Sequence, residues 1–488
     1  MFSFLMQIHM YQDWDMLYLL EGGRHLLSGG TYVTDVFENN PPLIYYFSMG
    51  IIFLSDLLDI NNVFFFKLVI YLCILYSLSV SYYLLIVNSL KVNANFFMLL
   101  ALAFCFLILS VCCFGEREHL MLLFTIPYFF LLHQSASAIK FKPILRMTIS
   151  FLAALGFALK PYFLFSLFFS ELLFMYWQRD WKTLFRLEAQ IIFWTLVVYL
   201  VSVEFFMPDF YSTILPYIIQ FYRFNGNDIS SLLINPAVIN ALFLLLSSLF
   251  LFRFLSRLDM LLITVSFGFM LSFILQGKGW AYHAFPLITV NSLLAVLLVY
   301  HLAQTCNKNR IYPGLIISII AAQFLFTLIP WSALYHQKIN YYINESSKFQ
   351  QMIKIAKQYA QNKYIFFFST DLSQTILINY YSDSKLGSRF PTLWPLLGII
   401  NRQFVLQQCD EICMIGKKKM RHYILEDFQR YQPELVYVDV KSEKAFFRTS
   451  FDYLEFMQAS SAFRTLWQQY SYLLTIDNYA IYKCNKVS

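Results

Sequence analysis

Long apolar runs separated by short polar loops dominate the first two thirds of the chain. Runs long enough to cross a bilayer as a helix, about 20 mainly apolar residues, lie at 63–88, 95–113, 119–136, 144–160, 161–177, 188–207, 233–252, 258–276, 284–303 and 311–330. The pattern predicts ten membrane-spanning helices. Residues 41–58 are a weaker segment that begins with Pro41-Pro42 and contains Asp56, which favours a helix lying at the membrane interface.

The pattern changes after Trp331, where charged and amide residues become common. Residues 345–361 have helical periodicity, and three short runs, at 364–368, 435–440 and 479–482, have the composition of β-strands. The tail, residues 332–488, is therefore predicted to be a small α/β domain. It contains neither a Gly-rich phosphate loop nor a nucleophile motif, which favours a structural or acceptor-positioning role.

Composition places the chain among integral membrane proteins. Of its 488 residues, 59% are hydrophobic and 13% are charged, whereas soluble proteins average about a quarter charged. The net charge of +7 does not indicate a nucleic-acid partner, because Lys and Arg lie mainly in short loops where they set topology. Cys409 and Cys413 stand one helical turn apart, which leaves a disulfide or a metal site open but favours unpaired thiols.

The basic residues predict the orientation of the spans. One set of alternate loops holds eleven of them, namely Lys91, Lys140, Lys142, Arg146, Arg179, Lys182, Arg186, Arg253, Arg257, Lys308 and Arg310. The other set holds four, namely Arg117, Lys160, Arg223 and Lys278. The first set is predicted to be cytoplasmic, so the first polar loop (1–62) and the tail are expected on the outer face. Because the chain would then start outside, we expect a first span upstream of this sequence.

The first polar loop supplies candidate catalytic carboxylates. Residues 11–42 contain five of them, at Asp13, Asp15, Glu21, Asp35 and Glu38. Asp15 precedes a segment with apolar residues at helical spacing, which would place it at the N-terminus of a helix lying on the membrane. The helix dipole keeps a carboxylate ionised there, as a general base requires. The alternative is that Asp13 and Asp15 only cap this helix.

Three further segments place basic and aromatic residues at helix ends on the same predicted face. They supply Arg117 and His119; Lys160; and Lys278, Tyr282 and His283. A single lysine could extend its amine to the interface without any function. Placing an ionisable side chain at membrane depth nevertheless costs free energy, so such a residue is first interpreted as functional. The three segments together suit an anionic lipid headgroup such as a phosphate.

These residues resemble the motifs of the GT-C superfamily of membrane glycosyltransferases, which includes protein O-mannosyltransferases and lipid A aminoarabinose transferases. The first loop of that family is similar in order to Asp15, Gly23, Leu26-Leu27, Gly29, Tyr32, Asp35 and Pro41-Pro42. Lys278, Tyr282 and Pro286 resemble a second outer loop, and Lys160 resembles a helix end. The resemblance covers residues 12–330, and Asn40 departs from it where many members have Lys.

The resemblance implies transfer of a sugar from a polyprenyl-phosphate carrier to an acceptor hydroxyl of a lipid, glycan or protein, with inversion. Asp15 would be the general base, and Asp13 is the second candidate for that role. Arg117, His119, Lys160, Lys278, Tyr282 and His283 would bind the lipid phosphate. Asp35 or Glu38 would position the sugar or hold a divalent metal ion, the one cofactor considered. The expected location is the inner membrane of a bacterium.

Two other functions fit the same sequence. A transporter or flippase for a lipid-linked or anionic substrate would show inverted repeats and broken helices near the bilayer centre. The charges instead cluster at one predicted face. A scaffold without catalytic activity, whose tail binds a partner, is the third hypothesis.

Overall fold

The computed structural model describes residues 3, 4, 7, 13–86, 92–137, 139–305, 311–343 and 347–485. It divides into two compact units. The first unit contains Ile60–Ser202 and Asn227–Asn340, with the described residues among the first eleven. The second unit contains Gln12–Asp59, Val203–Gly226 and Tyr341–Ser488.

The described residues are mainly helical. In chain order the α-helices are α1 Trp14–Leu27, α2 Leu43–Leu57, α3 Asn62–Ile86, α4 Val92–Leu107, α5 Arg117–Ala136, α6 Pro143–Ala158, α7 Leu164–Gln178, α8 Leu187–Phe206, α9 Leu215–Gln220, α10 Ile229–Leu233, α11 Pro236–Phe250, α12 Arg257–Gln276, α13 Ala281–Thr305, α14 Ile311–Gln323, α15 Ile329–Ile343, α16 Lys348–Ala360, α17 Leu372–Tyr381, α18 Trp394–Leu406, α19 Glu411–Tyr431, α20 Tyr453–Gln458 and α21 Ser461–Trp467. The strands are β1 Tyr364–Phe368, β2 Lys385–Leu386, β3 Leu435–Asp439, β4 Tyr470–Ile476 and β5 Tyr479–Cys484.

Each of the ten predicted spans coincides with a helix. In the part of the chain that the structure describes, six segments are long and apolar enough to cross a bilayer, at Asn62–Ile86, Ala94–Val111, Leu187–Phe206, Arg257–Gln276, Ala281–Gln304 and Pro313–His336. Shorter apolar helices occupy Leu43–Leu57, Pro143–Ala158 and Pro236–Phe250. Proline at the first helical position starts α6 and α11, where its missing N–H costs nothing. The prediction of an integral membrane protein is confirmed, whereas ten crossings stay a prediction.

Two of the basic residues used for the orientation are paired in the first unit. The Arg186 guanidinium donates to both oxygens of Glu171 at 2.6 and 2.7 Å. Arg146 donates to both oxygens of Glu188 at 2.6 and 2.8 Å. These pairs link helices α6, α7 and α8, so the two arginines stabilise tertiary structure as well as contributing to the charge count.

The tail forms the predicted α/β domain within the second unit. Its sheet has the order β2-β1-β3-β5-β4, in which β1 pairs in parallel with β2 and β3, and β5 is antiparallel to β3 and β4. The three predicted strands correspond to β1, β3 and β5. The prediction missed the other two: β2 has only two residues, and β4 is a largely exposed edge strand whose β-rich run was not recognised. Cys409 and Cys413 form a disulfide, so the preference for unpaired thiols was wrong.

The first polar loop folds with the tail in this second unit. Helix α1 packs closely on α2 because Gly23 has no side chain, and a Cβ there would lie 2.7 Å from the Cβ of Ser48. Further along, the backbone N–H of Phe37 donates to the carbonyl of Arg389 at 2.8 Å. The buried Phe37 ring contacts the rings of Phe390, Trp394, Tyr217 and Tyr423. The loop segment around Phe37 and the tail segment around Arg389 and Trp394, which the sequence analysis assigns to different domains, therefore pack together in this unit.

Candidate functional site

A buried cluster of ionisable side chains surrounds Lys160 in the first unit. Lys160 follows α6 in an extended conformation and precedes a short 3-10 turn, Pro161–Phe163. Its amine forms an ion pair with Glu118 and lies 3.1 Å from Nε2 of His283 and 3.5 Å from Oε1 of Gln276. It also lies 5.3 Å from the centre of the Tyr282 ring. Three segments far apart in sequence, around residues 118, 160 and 276–283, therefore meet at one amine.

Lys278 reaches the same cluster from the end of α12. That helix stops at Gly277, whose φ of +71° favours glycine, so the chain turns sharply there. The side-chain amide of Asn227 then holds the Lys278 carbonyl at 2.9 Å. Arg117, Lys160 and Lys278 all act electrostatically on His283. The structure thus brings together the basic residues that the sequence places on three separate loops.

Burial controls the charge of Lys278, which lies between two spans. It lowers the pKa of the Lys278 amine to about 7. Desolvation favours the neutral amine because an ammonium ion loses its hydration shell. An incoming anion would reverse that preference, so the cluster is suited to bind a negatively charged group.

Glu118 and Gln276 are members of the cluster that the sequence prediction did not assign. Both lie inside segments that it singled out, next to Arg117 and Gly277. Glu118 is fully buried, and leaving either partner of a buried ion pair alone costs several kcal/mol. The sequence signal that could have identified Glu118 is its position next to Arg117 in a chain with few charged residues.

His119 is buried in an aromatic environment beside this cluster. The backbone N–H of Gly115 donates to its Nδ1 at 3.1 Å, so a neutral ring carries its proton on Nε2. The ring contacts Phe106, Phe114 and Phe285. This geometry favours a positioning role, since it fixes the first turn of α5, from which Arg117 and Glu118 project.

Asp13 and Asp15 lie at the start of α1 in the second unit, where the sequence predicts them. The Asp13 carboxylate accepts the backbone N–H of Asp15 at 3.0 Å and is the N-cap of the helix. Asp13 therefore caps the helix, and its catalytic role stays a prediction. Asp15 occupies the first turn of the helix and is partly exposed.

Asp35 is bound to the tail domain. Its Oδ1 accepts from the Arg430 guanidinium at 2.7 Å, and its Oδ2 accepts from Thr31 N at 2.9 Å and from Thr34 Oγ1 at 2.6 Å. Burial raises the pKa of Asp35, but the hydrogen bonds from Thr34, Thr31 and Arg430 outweigh it and lower the pKa. These contacts favour a structural role, and a sugar or metal ion would have to displace them.

Glu38 lies on the buried side of the same loop. Its Oε1 accepts from the side-chain amide of Asn40 at 3.4 Å. The Tyr32 hydroxyl in turn donates to the Asn40 carbonyl. Asn40, which departs from the resembled motif, therefore ties this turn together.

Comparison with known proteins defines the fold. The sequence matches no family model and no curated protein. Among solved structures, the chain is similar to ArnT from Cupriavidus metallidurans bound to undecaprenyl phosphate, with a TM-score of 0.54 and 11% identity over 100% of this chain and 97% of that one. ArnT in the apo state gives a TM-score of 0.52 and 11% identity over 97% and 93% of the two chains. The protein is an integral membrane protein with the GT-C fold, which confirms the fold that the resemblance implied.

Proposed function

We propose that the protein is a membrane glycosyltransferase that moves a sugar from a polyprenyl-phosphate carrier to an acceptor hydroxyl of a lipid, glycan or protein. The observation that supports this most is the similarity, over the whole chain, to ArnT bound to undecaprenyl phosphate. The buried cations of the first unit add to it, because a lipid phosphate is the anion that such a cluster would accept. The proposed location is a bacterial inner membrane with the tail outside.

In this reaction the bond between the anomeric carbon and the phosphate oxygen breaks while the acceptor oxygen bonds to that carbon from the opposite side. Negative charge grows on the leaving phosphate. Lys160, Lys278 and Arg117 would stabilise it, with hydrogen bonds from Tyr282 and His283. Preorganised cations of this kind contribute strongly because water does not screen them.

The acceptor proton is assigned to Asp15. A carboxylate placed at the N-terminus of a helix can take the acceptor proton as a general base. Asp13 is the second choice because its carboxylate already accepts the backbone N–H of Asp15. A divalent metal ion is proposed only as an optional addition, and chelation with EDTA followed by Mg²⁺ or Mn²⁺ would reveal it.

The test compares Asp15→Asn with Asp59→Asn, an equal loss of charge at an exposed position of the same unit. The full chain is reconstituted with undecaprenyl-phosphate-linked sugars and envelope extract, and mass spectrometry follows glycosylated products and released undecaprenyl phosphate. Asp15→Asn should lower transfer by about 10²–10⁴-fold, while Asp59→Asn stays normal and both variants bind the donor. Normal transfer by Asp15→Asn would exclude it as the base. Donor movement across the vesicle without product would instead favour the flippase.

A further inference from the structure

Two helices of the second unit meet in an exposed apolar tip. Helix α18 ends at Leu406, α19 begins at Glu411, and the Cys409–Cys413 disulfide joins the turn between them to the first turn of α19. We call residues 404–415 the hairpin tip. Its large apolar side chains are exposed by 37–57%, at Phe404, Val405, Leu406, Ile412, Met414 and Ile415. Contiguous apolar surface of this kind indicates an interaction site on a folded protein.

The base of the hairpin tip is firmly held, so the apolar side chains are presented outward by an ordered structure. The Arg402 guanidinium pairs with Asp410 at 2.5 Å and donates to the carbonyl of Gln220 at 3.2 Å. Asp410 caps α19 by accepting the backbone N–H of Cys413 at 2.9 Å. Gly398 lies so close to the Phe221 carbonyl that a Cβ would approach it to 2.7 Å.

A membrane-spanning helix ends close to this base. Helix α8 is long and apolar enough to cross a bilayer, and its last residues, from Val203 onward, belong to the second unit. Gln220, which contacts Arg402, follows Phe206 by fourteen residues, and twelve of these, 209–220, are helical. With a rise of about 1.5 Å for a helical residue and about 3.5 Å for an extended one, this segment spans at most about 25 Å. The hairpin tip is therefore within reach of the membrane surface at which α8 ends.

The charge next to the hairpin tip suits phospholipid headgroups. Lys417, Lys418, Lys419 and Arg421 directly follow it, and Lys418 and Lys419 are exposed. Of the two acidic residues in 403–421, Asp410 is paired with Arg402. An apolar surface flanked by lysines is the pattern of protein segments that enter the headgroup region of an anionic bilayer.

We propose that the hairpin tip inserts into the bilayer leaflet at which α8 ends, with Lys418 and Lys419 on anionic phospholipid headgroups. The tip would then attach the second unit to the membrane in addition to the attachment through α8. The Arg402–Asp410 pair joins α18 to the start of α19, so the apolar residues of both helices enter the leaflet together. This inference does not depend on the reaction proposed above.

The test measures the surroundings of Met414 in the full chain. A fluorescent amino acid replaces Met414, or Val440 as the control, since both are about half exposed and lie in the same unit. The protein is reconstituted in vesicles of phosphatidylethanolamine and phosphatidylglycerol, then exposed to nitroxide-labelled lipid or to aqueous iodide. The probe at 414 should lose fluorescence to the labelled lipid and resist iodide, and the probe at 440 should do the reverse.

Two outcomes at position 414 would overturn the proposal. Quenching by iodide alone would show that the tip faces water, and protection from both quenchers would show that a protein surface covers it. The double variant Lys418→Gln, Lys419→Gln tests the headgroup contact separately. It should reduce lipid quenching at 414 in vesicles with phosphatidylglycerol, and unchanged quenching would refute the role of the two lysines.

Discussion

Lys278 gives the most quantitative prediction for the proposed phosphate site. Burial lowers the pKa of its amine to about 7, well below the ordinary value of 10.5. Near neutral pH the free protein therefore carries a mixture of ammonium and neutral amine at this position. Only the ammonium attracts a phosphate, so the phosphate binds to the protein molecules in which Lys278 is protonated. We expect the affinity for undecaprenyl phosphate to fall as the pH rises through 7.

The magnitude follows from the fraction of ammonium. The apparent dissociation constant equals the intrinsic one divided by that fraction, which is about 0.9 at pH 6 and about 0.09 at pH 8. Affinity should therefore weaken about tenfold between pH 6 and pH 8 because of this group. The same shift raises stability as the pH rises from about 7 towards 10.5, since the folded state then binds fewer protons than the unfolded one.

Two variants isolate the contribution of Lys278. Lys278→Arg keeps a permanent charge, and Lys278→Met removes the charge, so neither should show this pH dependence. Lys278→Met should also bind about 10- to 100-fold more weakly at pH 6, the value of one charge-assisted hydrogen bond. Binding of labelled undecaprenyl phosphate to protein in lipid nanodiscs is measured from pH 6 to 8. Dividing by the Lys278→Met profile removes the titration of the phosphate, and identical profiles for wild type and both variants would refute the argument.

Two further predictions concern the second unit and use unfolding of the purified protein in detergent. Gly23→Ala should cost about 1–3 kcal/mol because its Cβ would lie 2.7 Å from that of Ser48, whereas Gly50→Ala, with open space around the added methyl, should stabilise by up to about 1 kcal/mol. Equal effects of the two would contradict the packing of α1 on α2. Asp35→Asn should cost about 1 kcal/mol, since half-exposed Arg430 contributes little to stability. Because the pKa of Asp35 is lowered from 3.8, this stabilisation is present above pH 4 and is lost as the pH falls. A wild-type acid transition unchanged in the variant would exclude this contribution.

Local pattern was sufficient for much of the architecture. Helices were predictable because apolar runs of bilayer length have few alternative structures, and β1, β3 and β5 because short β-branched and aromatic runs were bounded by polar residues. The start of α1 followed from Asp13 and the apolar spacing after it. The edge strand β4 has a comparable run of Tyr, Leu, Thr and Ile between Gln469 and Asp477, and the prediction missed it.

The partners of the candidate residues were not predictable from local pattern. Asp35 pairs with Arg430, which lies 395 residues later in the chain. Lys160 pairs with Glu118 across 42 residues. Such contacts depend on how helices meet, and periodicity within one helix does not contain that information. The sequence could therefore identify the charged loops, but not which of their charges neutralise one another.

The anchoring of Phe37 in the tail domain has a consequence for genetic experiments. The first loop and the tail share a core through Phe37, Arg389 and Trp394, although more than three hundred residues separate them in the chain. A deletion of the tail would expose this core and release the loop that carries Asp15. Loss of activity in a truncated protein would therefore say nothing about catalytic groups in the tail itself. For the same reason, a working chimera between related proteins must exchange the loop and the tail as a pair.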